Sequence, residues 1–141
     1  MKNHEYRINL VLDYLKELDL SQDINEYYSG RNILVTGGAG AIGSNLVTAL
    51  SNLVGDDGMI IVLDNLSAIK GDEPIDLPPL SNMMFVKGDV RSDIDLKRVF
   101  REKPTIVYHL AAFFANQNSV DYPENSADVD INGIIKLLDY S

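Results

Sequence analysis

The chain has 141 residues, 45% of them apolar and 23% charged, which fits one folded domain and excludes wholesale disorder, collagen-like repeats and low-complexity content. Acids outnumber bases 21 to 12, for a net charge of −9; a surface this acidic repels a nucleic-acid backbone, while small phosphate ligands, which respond to local dipoles, stay open. The absence of cysteine excludes disulfide scaffolds, thiolate metal sites and cysteine nucleophiles, and suits a reducing, cytoplasmic setting.

No apolar stretch approaches the roughly 18 residues that span a bilayer. The first twenty residues carry acids inside their apolar pattern, so they do not read as a secretory signal. Residues 1–30 are predicted to be a helical extension. Ile8, Val11, Leu15 and Leu18 recur at helical spacing, Ser21 is placed to cap a second short turn through Asn25, and Gly30 punctuates.

From Asn32 the pattern changes. Ile33–Val35 form a short apolar run that ends at a glycine cluster. Residues 41–54 return to helical spacing, with Ile42, Leu46, Ala49, Leu50 and Leu53 on one face and Gly55 and Gly58 as stops. Met59–Leu63 is a second apolar run. Residues 65–82, with Pro74, Pro78 and Pro79, read as a long loop. Met83–Val86 is a third run, closed by Gly88. Ser92 then caps a helix with Asp95 in its first turn and Leu96, Val99 and Phe100 on its inner face, ended by Pro104. Thr105–Leu110 is a fourth run. Residues 125–140 are predicted helical, with Ile131, Ile134, Ile135 and Leu138 apolar. Short β-branched runs alternating with helices predict an α/β domain over 31–141: a Rossmann-like, doubly wound parallel sheet in the order 3-2-1-4.

The sharpest motif is Thr36-Gly37-Gly38-Ala39-Gly40-Ala41-Ile42-Gly43, directly after a predicted strand and opening a predicted helix. Gly38, Gly40 and Gly43 satisfy G-x-G-x-x-G; Gly37, Gly40 and Gly43 satisfy the variant with two spacers between each pair. A helix N-terminus offers unpaired amides and partial positive charge to a pyrophosphate, and glycine keeps Cβ atoms out of the anion's way. The last glycine is expected to let the helix pack against the strand. Asp64 stands at the end of the second strand, placed to accept both hydroxyls of an adenosine ribose; the plain alternative is that it opens a turn. No base follows until Lys70, so NAD is favoured over NADP. A nucleotide-hydrolase phosphate loop needs lysine after Gly43, where Ser44 stands, which argues against ATP chemistry.

VTGGAGAIGSNL, VLDNLS, GDVRS and HLAA, in this order and spacing, resemble the extended short-chain dehydrogenase/reductases over roughly residues 31–141. That family includes NAD-dependent nucleotide-sugar epimerases and dehydratases, so the resemblance implies NAD as cofactor and a nucleotide sugar as substrate. It implies a cofactor-binding set of Gly37, Gly38, Gly40, Ala41, Ile42, Gly43, Asp64 and Asn65. Asp89 and Val90 join it as adenine contacts, Asp89 having turn-capping as its alternative. Leu110, Ala111 and Ala112 would form the wall near the nicotinamide ribose and diphosphate. His109 reads as a buried strand residue, and metal binding has no support.

Two departures from the family pattern stand out. Asp130 occupies the place of the asparagine in N-V-x-G-T, aligned on Gly133. The family's Tyr-x-x-x-Lys is missing, since no tyrosine has a lysine four residues on, and Ser119 comes too early for the strand-end serine. No catalytic residue is therefore nominated. The chain reads as the amino-terminal part of a sugar epimerase or dehydratase, inactive alone, with an exposed fourth-strand edge that predicts homodimerisation or other self-association. The alternative is a non-catalytic dinucleotide-binding or interaction module on the same scaffold.

Overall fold

The computed structural model of the chain describes residues 4–68, 75, 77–113 and 116–141, with residues 116–118 described by their backbone. Helices α1 (His4–Glu17) and α2 (Gln22–Tyr28) precede strand β1 (Asn32–Thr36). Then come α3 (Ala41–Val54), β2 (Met59–Asp64), β3 (Met83–Lys87), α4 (Asp93–Phe100) and β4 (Ile106–His109). Helices α5 (Asn116–Asp121) and α6 (Pro123–Ala127), a π-helical turn (Asp128–Asn132) and α7 (Gly133–Tyr140) complete the chain. Part of the expected loop over 65–82, namely 69–74 and 76 with Lys70 and Pro74, lies outside the described residues.

The four strands form one parallel sheet in the order β3-β2-β1-β4, the order expected. β1 pairs with β2 from Asn32 opposite Met59 to Thr36 opposite Leu63, and with β4 from Ile33 opposite Ile106 to Thr36 opposite His109. Side chains alternate between faces along each strand, so each face has its own core. Leu34, Ile61, Leu63 and Val86 pack with Leu96 and Val99 of α4 and Leu137 of α7 on one side. Ile33, Val35, Ile60 and Val62 pack with Val47, Leu50 and Val54 of α3 on the other. Burial on both faces explains why the strands read as continuous apolar runs rather than alternating ones.

Two helical faces differ from expectation. In α3 the core is met by Val47, Leu50 and Val54, with the expected Leu46 and Leu53 packed against it, whereas Ile42 is 75% exposed. Leu46 and Ala49 line a groove between α3 and α1, so a second apolar side faces the amino-terminal extension. In the π turn and α7 the four apolar residues picked out from the sequence, Ile131, Ile134, Ile135 and Leu138, are all exposed. The buried side is Gly133 and Leu137, and Tyr140 stacks on Phe100 of α4.

The caps follow the same logic of local supply. Ser92 accepts from the Asp95 amide, as expected for an N-cap. Ser21 occupies the N-cap position of α2 but makes no side-chain cap bond, and α2 runs to Tyr28 rather than ending at Asn25. Tyr28 ties the extension to the sheet: its hydroxyl lies 2.6 Å from that of Tyr108 on β4.

Candidate functional site

The site is at the carboxyl end of the sheet, where β1 passes to α3. Strand order reverses between β1 and β4, and parallel sheets open a crevice at such a switch point. Gly37 takes a left-handed φ of +69°, and a Cβ there would lie 2.6 Å from the Ala111 nitrogen. The glycine turn and the chain leaving β4 thus approach at backbone distance, which only glycine permits. Gly43 does not meet the strand as expected. A Cβ on it would collide with the Gly37 carbonyl and approach the Gly38 Cα to 2.6 Å, so it packs on the turn itself. Gly38 takes the contact with the sheet, its Cβ position lying 2.7 Å from Val62 Cγ1.

Gly40 is different. A Cβ there would meet only the Gly37 carbonyl, at 3.3 Å, and the residue borders a cleft of about 370 Å³. Gly40 is the N-cap of α3, and Ser44 is the first α3 amide bonded one turn back, to the Gly40 carbonyl. The amides of Ala41, Ile42 and Gly43 precede it at the positive end of the helix dipole. No acid occupies this first turn.

Of the residues expected in the site, Gly37, Gly40, Asp64, Asn65, Asp89, Val90, Leu110, Ala111 and Ala112 line the cleft. Gly38 and Gly43 lie beneath it as packing residues, and Ala41 and Ile42 are exposed at the helix mouth. The cleft also takes in Ala39, Leu66, Ser67, Arg91, Phe113, Asn125 and Val129, which sequence reasoning did not nominate. Arg91 had a usable signal, since it sits two residues beyond Asp89 in the quoted GDVRS. Asn125 and Val129 had none, because they arrive from the other end of the chain.

Asp64 takes the turn role weighed for it and adds a bond to the glycine loop. One carboxylate oxygen accepts from the Leu66 amide at 2.7 Å, opening the turn, and the other accepts from the Ala39 amide at 3.0 Å. Each oxygen keeps a further lone pair for a donor in the cleft. Asp89 is likewise part of its own turn, accepting the Arg91 amide at 2.9 Å. The Arg91 guanidinium donates to both Asp89 oxygens, at 2.9 and 2.8 Å, and reaches Asp128 of the π turn at 2.8 Å. That fork, more than counteracting burial, holds the Asp89 carboxyl down at about 2. Asp95 accepts the Asp89 amide at 3.0 Å, and Gly88 leaves room for its carboxylate.

The floor beside β4 is polar and satisfied. The buried Thr36 hydroxyl lies 2.6 Å from His109 Nδ1 and accepts from the Ala111 amide at 3.3 Å. Burial pushes the His109 imidazole down, opposed by the Asp130 charge, and the tautomer sets which of Nδ1 and the Thr36 hydroxyl donates. His109 is a strand residue as expected, but half-buried rather than buried, because β4 lies at the side of the sheet. Asp130, at the divergent position, accepts from the Phe113 amide at 2.7 Å and the Ser126 hydroxyl at 3.0 Å. It pins the segment after β4 to the π turn. Among the described residues no His, Asp and Glu group is arranged as a metal-ligand set.

The family model for GDP-mannose 4,6 dehydratase matches residues 34–141. The chain belongs to that family. A UDP-glucose 4-epimerase of Mycolicibacterium smegmatis is 36% identical over 107 residues, covering 75% of this chain and 33% of its own. Among solved structures, the epimerase Mth375 of Methanothermobacter thermautotrophicus aligns with a TM-score of 0.75 at 48% identity, covering 84% of this chain and 33% of its own. The Bordetella bronchiseptica enzyme WbmF, solved in complex with NAD+, aligns with a TM-score of 0.69 at 30% identity, covering 81% of this chain and 33% of its own. The chain spans about a third of the length of these relatives. The match begins after α1 and α2, which the family model does not include.

Proposed function

We propose that this chain forms the adenosine-diphosphate half of an NAD site belonging to a nucleotide-sugar epimerase or dehydratase of the UDP-glucose 4-epimerase type. One observation carries the reading: Gly40, the only motif glycine whose missing Cβ leaves a cleft rather than a packing contact, shares that cleft with Asp64 and Asp89. The residues fit the cofactor. The open helix mouth of α3 suits a diphosphate, and the spare lone pairs of Asp64 suit ribose hydroxyls. Asp89 faces the cleft with its oxygens engaged by Arg91 and Asn65, so an exocyclic amine would take the place of the 3.3 Å Asn65 bond, and the small Ala111 and Ala112 leave space beside β4. When bound, NAD supplies hydride acceptance and return at the sugar carbinol.

The chemistry on the sugar belongs to groups outside this set. The 141 residues contain no Tyr-x-x-x-Lys, so the chain by itself is proposed to bind NAD without turning over a sugar. The composition supports a cytoplasmic setting, and among the described residues no helix is long and apolar enough to cross a membrane. The exposed Ile131 of the π turn and Ile134, Ile135 and Leu138 of α7, with the β4 edge, support self-association. Residues 1–30 are read as an appended helical unit and 31–141 as the amino-terminal half of the dinucleotide domain.

Titration calorimetry with NAD, NADP and ADP tests the reading. NAD and ADP binding, with NADP weaker by tenfold or more because Asp64 repels a 2′-phosphate, is the expected result. Equal affinity for NADP removes the role given to Asp64, and no binding of any of the three removes the site.

A further inference from the structure

The extension lies on the cofactor loop's own helix. α1 packs along α3, and its Arg7 guanidinium donates from one nitrogen to Ser44 Oγ at 2.9 Å and to Asn45 Oδ1 at 3.3 Å. Ser44 is fully buried and Arg7 is half-buried. Asn45 passes the contact on: its Nδ2 donates to the Ala41 carbonyl at 2.8 Å. Ala41 is the first residue of α3, at the mouth where the unpaired amides stand. On the outer side, Leu10 and Tyr14 of α1 form a groove with Ile42 and Leu46. The first turn of α3 is therefore tied to α1 through a hydrogen-bond relay, beside an open apolar groove.

We propose that Arg7, supplied by a helix outside the family-matched region, is a positioning residue for the diphosphate cradle, acting through Asn45 on the Ala41 end of α3. The extension is then part of the dinucleotide site rather than a passive handle. This rests on the NAD reading above.

The test uses the full chain. NAD dissociation constants are measured for the unaltered protein and for Arg7→Met, Arg7→Lys and Asn45→Ala, each with its thermal midpoint in the absence of NAD. Arg7→Met is expected to weaken NAD about tenfold, the loss of a charged hydrogen-bond donor, and Arg7→Lys to recover part of it. Asn45→Ala leaves the Arg7–Ser44 bond, so α1 stays docked and the midpoint holds. It should still weaken NAD about threefold. An anchor for α1 alone would move the midpoint and leave the NAD constant of Asn45→Ala unchanged. Unchanged NAD affinity in both Arg7→Met and Asn45→Ala overturns the proposal while the site reading stands. An unaltered protein that does not bind NAD takes both down.

Discussion

The Asp64 carboxylate accepts the Ala39 amide at 3.0 Å, so the acid at the end of β2 is bonded to the glycine turn it faces. The same side chain that would meet a ribose also fixes the loop that would meet the diphosphate, coupling the two halves of recognition. Asp64→Asn keeps one acceptor oxygen and removes the charge. It should weaken NAD more than tenfold and narrow the preference over NADP, read by competition titration, with a stability loss of about 1 kcal/mol. A preference unchanged by this substitution would separate Asp64 from the ribose.

The glycines divide by what their missing Cβ does. At Gly37 a side chain meets both positive φ and the backbone after β4, so Gly37→Ala should cost roughly 2–5 kcal/mol in denaturant unfolding. Gly40 has ordinary φ of −74° and only the Gly37 carbonyl nearby. Gly40→Leu should therefore keep the fold, within about 1 kcal/mol, while filling the mouth of the cleft. Its circular dichroism melt should resemble the parent's and its NAD binding should vanish. Binding that survives would put the cradle elsewhere.

Acid stability reports on the Arg91 fork. Asp89 is held at about 2, below its ordinary 3.8, chiefly by the hydrogen bonds from Arg91. A folded-state value below the unfolded one stabilises above pH 3.8, and the contribution is lost as pH falls toward 2. Arg91→Met should raise the Asp89 carboxyl and move the onset of acid unfolding to higher pH. An unmoved onset would show that Asp89 owes its low value to other groups.

The Tyr28–Tyr108 pair makes the corresponding prediction at high pH. Burial, then the Tyr28 hydrogen bond, push the Tyr108 phenol up to about 12. A folded-state value above the unfolded 10.0 stabilises below that pH, and the contribution is lost as pH climbs through about 12. Tyr28→Phe should bring the Tyr108 ultraviolet titration part of the way back toward 10.0, since burial remains. A double-mutant cycle with Tyr108→Phe should give a coupling of about 1 kcal/mol.

Much of this fold was legible because its signals are local. Strand runs, glycine stops and the Ser92 cap each act within a few residues, and the sheet order follows from how strands and helices alternate. The turn residues and both acids were legible for the same reason. Faces were less so. Ile42 and Ile131 are apolar at helical spacing yet exposed, because a stripe says that a helix has an apolar side, not which neighbour takes it. Arg7 could not be found by motif, since it meets Ser44 of α3 across 37 residues of sequence, and Asn125 and Val129 enter the cleft from helical turns that carry no motif. The role of Gly43 was misassigned for a related reason. The glycine spacing announces a close approach but not the partner, and here the partner is the turn.

The most direct measurement is a backbone amide NMR titration of the full chain with ADP and with NAD. The account predicts that both ligands shift the amides of Gly40, Ala41 and Ile42 most, followed by those after Asp64 and around Asp89. Shifts confined to other parts of the chain, or saturating NAD that leaves the Gly40–Ile42 amides unmoved, would contradict it.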